Sequence, residues 1–172
     1  RTFQNIRLFK NMTVLDNVKL AMNKSVRYSA LAAVLRLPSY YREEQRILNE
    51  AMELLEVVGL AEKKQVLAKN LPYGQQRKLE IARALAAKPK ILFLDEPAAG
   101  MNPQETTELT ELIHQIKEQF NLTVVLIEHD MSLVMKICER IYVLDYGKCI
   151  AQGTPEAIKN NRRVIEAYLG ED

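Results

Sequence analysis

Two adjacent carboxylates, Asp95 and Glu96, follow the apolar run Ile91-Leu92-Phe93-Leu94 and precede Pro97. That pattern reads as a buried strand of a parallel sheet that stops abruptly at a charged edge. Ligands bind at the carboxyl edge of open α/β sheets, and paired acids there can divide labour: one holds a divalent cation, the other orients a water. On these residues alone, a strand ending in solvated acids is the competing reading. A second apolar, β-branched run over residues 122–127 ends in Glu128-His129-Asp130, which puts His129 at the same predicted edge. By type, a lone histidine is a structural residue; its place at a strand end makes it a candidate site residue.

A third feature precedes the acids. Leu71-Pro72-Tyr73-Gly74-Gln75 opens a segment over residues 75–87 that is rich in helix formers, with Leu79, Ile81, Ala82 and Leu85 at helical spacing. The first backbone N–H groups of such a helix form an anion site, and a glycine there lets a phosphate approach closely.

Several elements must position these groups. Thr13-Val14-Leu15-Asp16 has the form of a capping box, followed by Val18 and Ala21-Met22 at helical spacing. Residues 24–46 break the rhythm: a largely apolar insert from Tyr28 to Leu37, closed by Pro38 and Tyr40-Tyr41, is interleaved with basic residues. It reads either as an ordinary core helix or as a docking surface. A clearer helix spans residues 43–58, with Ile47, Leu48, Ala51, Met52, Leu54, Leu55 and Val58 on one face and Gly59 as its stop. Asn102-Pro103-Gln104-Glu105 supplies an N-cap, a proline at the first helical position and a glutamate three residues on, opening a helix through Leu109, Leu112, Ile113, Ile116 and Phe120. His114 falls on its exposed side. Asp130 caps a helix through Leu133, Val134 and Ile137; Ile141–Leu144 and residues 148–151 flank a turn at Gly147 as a hairpin. Two short helices, at Pro155 and from Arg162, close the chain.

Composition sets bounds. The 172 residues are 48% hydrophobic and 27% charged, ordinary for a globular domain with a sizeable core. A net charge of +2 is too small to argue for nucleic acid. Cys138 and Cys149 fit no metal-ligand spacing and suit a reducing compartment as structural thiols. No apolar run reaches the ~20 residues needed to cross a bilayer, so any membrane connection runs through another polypeptide. The alternation of apolar strands and long helices predicts an α/β fold with a parallel sheet.

In their order and spacing, Leu71-Pro72-Tyr73-Gly74-Gln75, Arg77 to Leu85 and the Walker-B-like Ile91 to Glu96 resemble the nucleotide-binding subunit of an ABC transporter. The Pro-Tyr-Gly-Gln-Gln signature and Pro97-Ala98-Ala99-Gly100-Met101-Asn102-Pro103 resemble the branched-chain amino acid importer branch. The resemblance implies a P-loop NTPase-like core, residues 71–172, with an inserted helical subdomain over about residues 12–70. It also implies a Walker A loop, Gly-x-x-x-x-Gly-Lys-Ser/Thr, which none of the six glycines provides. The expectation is therefore a chain cut in mid-domain, its phosphate loop lying upstream of Arg1.

For the intact subunit, the resemblance implies MgATP-driven dimerisation with a second ATPase subunit, identical or paralogous. Glu96 polarises the attacking water, Asp95 and Gln4 serve Mg²⁺, and His129 and Gln4 sense the terminal phosphate. Taken alone, Gln4 reads as solvent-exposed filler. Leu71, Pro72, Tyr73, Gly74 and Gln75 face nucleotide held by the other subunit, and Asn102 touches that subunit besides capping its own helix. Many relatives have serine and glycine at positions 72 and 73; Pro72 cannot donate the hydrogen bond that a serine hydroxyl makes to the phosphate. Membrane subunits are expected to dock on the helical subdomain and the Gln4 loop, and a solute-binding protein to act indirectly, at the cytoplasmic face of the membrane. The alternatives are an ABC-type ATPase outside transport, expected to carry tandem motifs or a basic linker, and a fragment inert in isolation.

Overall fold

A computed structural model describes residues 7–25 and 29–168. The expectation for Gln4 falls outside them. The chain divides into two compact units, one up to Ile127 and a second from Glu128 onward.

The first unit begins with α1 (Val14–Ala21). Thr13 caps it: its hydroxyl oxygen accepts from Asp16 N–H at 3.0 Å and donates to the Asp16 carboxylate at 2.6 Å. The aspartate is too short for the reciprocal bond to the Thr13 N–H that a glutamate would make, so it bonds the hydroxyl. Asn17 is buried within this helix, accepting from Phe9 N–H at 3.0 Å and donating to the carbonyls of Phe9 and Thr13. A buried amide so satisfied pins residues 9–13 to α1. After α2 (Ala30–Val34), α3 runs from Pro38–Val57 and packs with α1 and the later α4. Its apolar face is the expected one, Ile47, Ala51, Leu54 and Leu55 being buried, and Gly59 stops it at φ +70°. It begins five residues before the expected position 43. Pro38 occupies the first helical position, where its missing N–H costs nothing, so it opens the helix instead of closing the insert.

α4 (Tyr73–Ala86) leads to β1 (Ile91–Asp95), and α5 (Pro103–Gln119) leads to β2 (Thr123–Ile127). The strands pair in parallel, Ile91 opposite Thr123 and Asp95 opposite Ile127. Here the structure corrects the reading of fully buried strands. Leu92 and Leu94 are buried, whereas Ile91, Phe93, Val125 and Ile127, on the opposite face, are exposed. The sequence is apolar on both faces because both suit burial; among the described residues the sheet is covered on one.

The second unit holds α6 (Met131–Ile137), the antiparallel hairpin β3 (Ile141–Asp145) and β4 (Lys148–Gly153), α7 (Pro155–Lys159) and α8 (Arg162–Tyr168). Its core is Val134, Ile141, Val143, Ile158 and Val164. Tyr146 and Gly147 both take positive φ, the two-residue turn that matches strand twist. The Tyr168 hydroxyl donates to the Leu144 carbonyl at 2.7 Å, tying α8 to β3. Cys149 is exposed, so it does no packing work as a structural thiol.

Candidate nucleotide site

The acids sit where the expected edge places them. Asp95 ends β1, and Glu96 follows in the left-handed region at φ 44°, unusual for a residue with a side chain. Such a conformation costs about 1–2 kcal/mol and persists only where its surroundings fix it. Here Glu96 N–H donates to the Ile127 carbonyl at 2.9 Å, extending the β1–β2 ladder, and the Glu96 carbonyl accepts from Ala99 N–H at 3.2 Å. The chain thus reverses direction at Glu96, leaving two half-buried carboxylates at the carboxyl edge of a parallel pair.

The glycine helix forms two residues earlier than position 75. Pro72 is the N-cap of α4, with no side chain capping its first turn; Tyr73 and Gly74 are the first two helical residues. The N–H groups of that turn are the unsatisfied donors of a helix start. Leu71 is buried beneath them, and its carbonyl accepts from Gln76 Nε2 at 2.8 Å. Pro72 and Tyr73 are exposed, while Gln75 accepts from Lys63 Nζ at 2.8 Å. Gly74 is buried. A Cβ built on it would lie 2.7 Å from Glu105 Oε1, so the space the glycine leaves is filled first by a carboxylate of the same chain.

Asn102 caps α5 in a complete capping box. Its side chain accepts from Glu105 N–H at 2.9 Å, and Glu105 Oε2 accepts from Asn102 N–H at 3.0 Å. Just before it, Gly100 takes φ +77°, and a Cβ there would meet the Tyr73 ring at 3.6 Å. The structure therefore brings residues 71–75 together with residues 100–105. His129 belongs to the second unit, exposed at 72% and with Nδ1 4.0 Å from Glu128 Oε2. Asp130 caps α6 through Ser132 and Leu133 N–H; the Ser132 hydroxyl, first among these donors, holds its carboxyl below the ordinary value. His114 is exposed, as expected.

Sequence reasoning missed the support beneath the signature turn. Arg77 is 2% exposed, pairs with buried Glu80 at 3.1 Å and donates to the Tyr73 hydroxyl at 3.1 Å. Its guanidinium also lies 5.6 Å from the Tyr73 ring centroid. The i, i+3 and i, i+4 spacing of Tyr73, Arg77 and Glu80 was the available signal.

Paired acids at a parallel sheet edge, with a helix start built around a glycine, are features of α/β domains that bind ligands at that edge. A family profile described as "ABC transporter" matches residues 1–99, and one described as "Branched-chain amino acid ATP-binding cassette transporter" matches residues 148–172. The chain belongs to the ABC transporter family. It is 50% identical over 99% of its length to the high-affinity branched-chain amino acid transport ATP-binding protein LivG of Escherichia coli K12 and spans 67% of that protein. It is 48% identical to BraF of Pseudomonas aeruginosa, also a high-affinity branched-chain amino acid transport ATP-binding protein, with the same coverage. Among solved structures, the ADP conformation of MJ1267, an ATP-binding cassette, superposes over 99% of this chain and 68% of its own at TM-score 0.78 and 30% identity. The dimeric post-hydrolysis state of MJ0796 with ADP and Pi matches over 90% of this chain and 61% of its own at TM-score 0.71 and 25% identity.

Proposed function

We propose that this chain is the greater part of the ATP-hydrolysing subunit of an importer for branched-chain amino acids, coupling hydrolysis to uptake through membrane subunits. The observation that carries the reading is Glu96: a carboxylate held in a left-handed turn at the edge of a parallel strand pair, beside Asp95. The likeness to LivG and BraF supplies the solute class and favours a transporter over an ABC-type ATPase of another kind.

Glu96 takes the proton side of the reaction, polarising the water that attacks the terminal phosphate. Asp95 would hold Mg²⁺. Among the described residues no group of three or more His, Cys, Asp and Glu side chains could hold a metal alone, so the cation would share one or two carboxylates with water and phosphate oxygens, as Mg²⁺ does. When bound, it neutralises charge on the transferring phosphoryl group. His129 and Gln4 sense the terminal phosphate. Leu71, Pro72, Tyr73, Gly74 and Gln75 present the α4 N-terminus to nucleotide held by a second subunit, identical or paralogous, which Asn102 also touches. Without a serine hydroxyl at position 72, backbone donors and the helix dipole supply that contact.

The helices of residues 12–70 form the surface for the membrane subunits. Exposed Leu31, Val34, Leu35 and Tyr41 give it apolar area that favours docking over a plain core helix. Among the described residues no helix is long and apolar enough to cross a membrane. By likeness to LivG and BraF, the subunit works at the cytoplasmic face through those partners and the solute-binding protein they serve.

The test is ATP turnover by the assembled transporter carrying Glu96→Gln. Turnover should fall by about 10²–10⁴-fold, the usual worth of a general base, while ATP-bound dimers accumulate on size exclusion. Unchanged turnover would remove Glu96 from the mechanism.

A further inference from the structure

α4 and the segment from Gly100 into α5 are tied together at three places. The Tyr73 ring lies against Gly100, 3.6 Å from where a Cβ would stand; Gly74 receives the Glu105 carboxylate, 2.7 Å from where its Cβ would stand; and Lys78 Nζ bonds Glu108 at 2.7 Å. The middle tie differs in kind from the other two. Glu105 engages both sides at once, Oε1 packing on Gly74 while Oε2 accepts from the Asn102 N–H at 3.0 Å. The capping box of α5 is therefore closed by a side chain whose other oxygen rests on the second residue of α4.

We propose that Glu105 is a positioning residue for ATP hydrolysis, setting the spacing between residues 71–75 and Asn102, with its carboxylate seated in the space that Gly74 leaves. This rests on the ATPase reading above, in which residues 71–75 face the second subunit's nucleotide and Asn102 touches that subunit. The contact atom is the tip of a flexible side chain. A methyl group at position 74 would therefore displace the carboxylate and leave the helix formed, and the displaced carboxylate would give up its bond to the Asn102 N–H. An alanine at 74 should then act through Glu105. Glutamine at 105 keeps an acceptor for that N–H and the same length; alanine keeps neither.

The first measurement is a cycle of melting midpoints on the intact subunit: parent, Gly74→Ala, Glu105→Ala and the double variant. In the Glu105→Ala background Gly74→Ala should raise the midpoint, because alanine outranks glycine within a helix. In the parent that gain should be cancelled or reversed by loss of the cap bond. Equal shifts in both backgrounds would overturn the contact. The second measurement is steady-state turnover of the assembled transporter, below the midpoint of each variant. Glu105→Ala should lower kcat on the order of 10–100-fold with KM for MgATP unchanged, and Glu105→Gln should restore kcat to near the parent's. Parent-like kcat in Glu105→Ala, or no rescue by Glu105→Gln, would overturn the positioning role. A parent transporter with no turnover would instead overturn the ATPase reading and the catalytic role with it, while the midpoint cycle still decides whether Glu105 and Gly74 are coupled.

Discussion

Removing the Arg77 guanidinium while keeping an apolar stem, as in Arg77→Met, strikes the support under the signature turn directly. Arg77 and Glu80 are exposed by only 2% and 6%, and their charged atoms lie 3.1 Å apart. Breaking a buried pair by deleting one partner costs about 3–5 kcal/mol, because the remaining charge stays desolvated. Among the described residues, Glu80 would then have a long bond from Arg7 N–H, at 3.5 Å, and the attraction of Arg83. The variant also takes the donor from the Tyr73 hydroxyl, which is only partly recovered by water at that exposed ring. For a chain of this size the loss corresponds to a fall in melting midpoint of about 6–20 °C. Replacing both partners, Arg77→Met with Glu80→Leu, should return most of it, since an apolar pair of similar volume is close to neutral. Denaturant unfolding of the parent, both single variants and the double closes the cycle. A loss below about 1 kcal/mol for Arg77→Met, the range of exposed pairs, would refute a desolvated ion pair beneath the signature turn.

Two further outcomes follow from the same structure. Glu96→Gly relieves the left-handed backbone at φ 44°, so its melting midpoint should match or exceed the parent's while turnover in the assembled transporter is abolished; a clear loss of stability would mean that the turn is held by the Glu96 side chain. The Asp130 carboxyl is held below its ordinary 3.8, so its contribution is complete above that value and lost as pH falls through the lower folded-state value; Ser132→Ala should move its NMR titration back up toward 3.8, and an unmoved titration would exclude the Ser132 hydroxyl as the cause.

What was legible in the sequence was local. The α5 capping box, the Asp130 cap, the hairpin turn at Gly147 and the helix stop at Gly59 all rest on residues within a few positions of one another, and each stands where its chemistry predicts. The start of α3 was misplaced because Pro38 can either end an apolar run or open a helix, and only the surrounding packing selects. β1 and β2 are apolar on both faces, and among the described residues one of these faces is covered. Glu105 was read correctly as a cap and incompletely as a contact, because its second oxygen meets a glycine 31 positions earlier in the chain. Asn17 and Arg77 find their partners within eight residues, but polar residues are read as exposed, and it is the packing of α1 on α4 that buries them.

The same distinction bears on Gly74. A glycine at a helix start invites one explanation, close approach of a phosphate, and that explanation needs nothing else from the chain. The structure adds a requirement from within. Gly74 must leave room for a carboxylate already committed to the Asn102 N–H, while Tyr73 beside it is held by Arg77 and rests on Gly100. A helix start that offers its N–H groups to an outside phosphate must be kept in register with the rest of the face that phosphate meets. In the proposed role, Pro72 offers no hydroxyl to the ligand side, while Tyr73 supplies a ring to the supporting side. On this view the signature variant trades one direct contact for rigidity, and Glu105 is where that rigidity passes from α4 to α5.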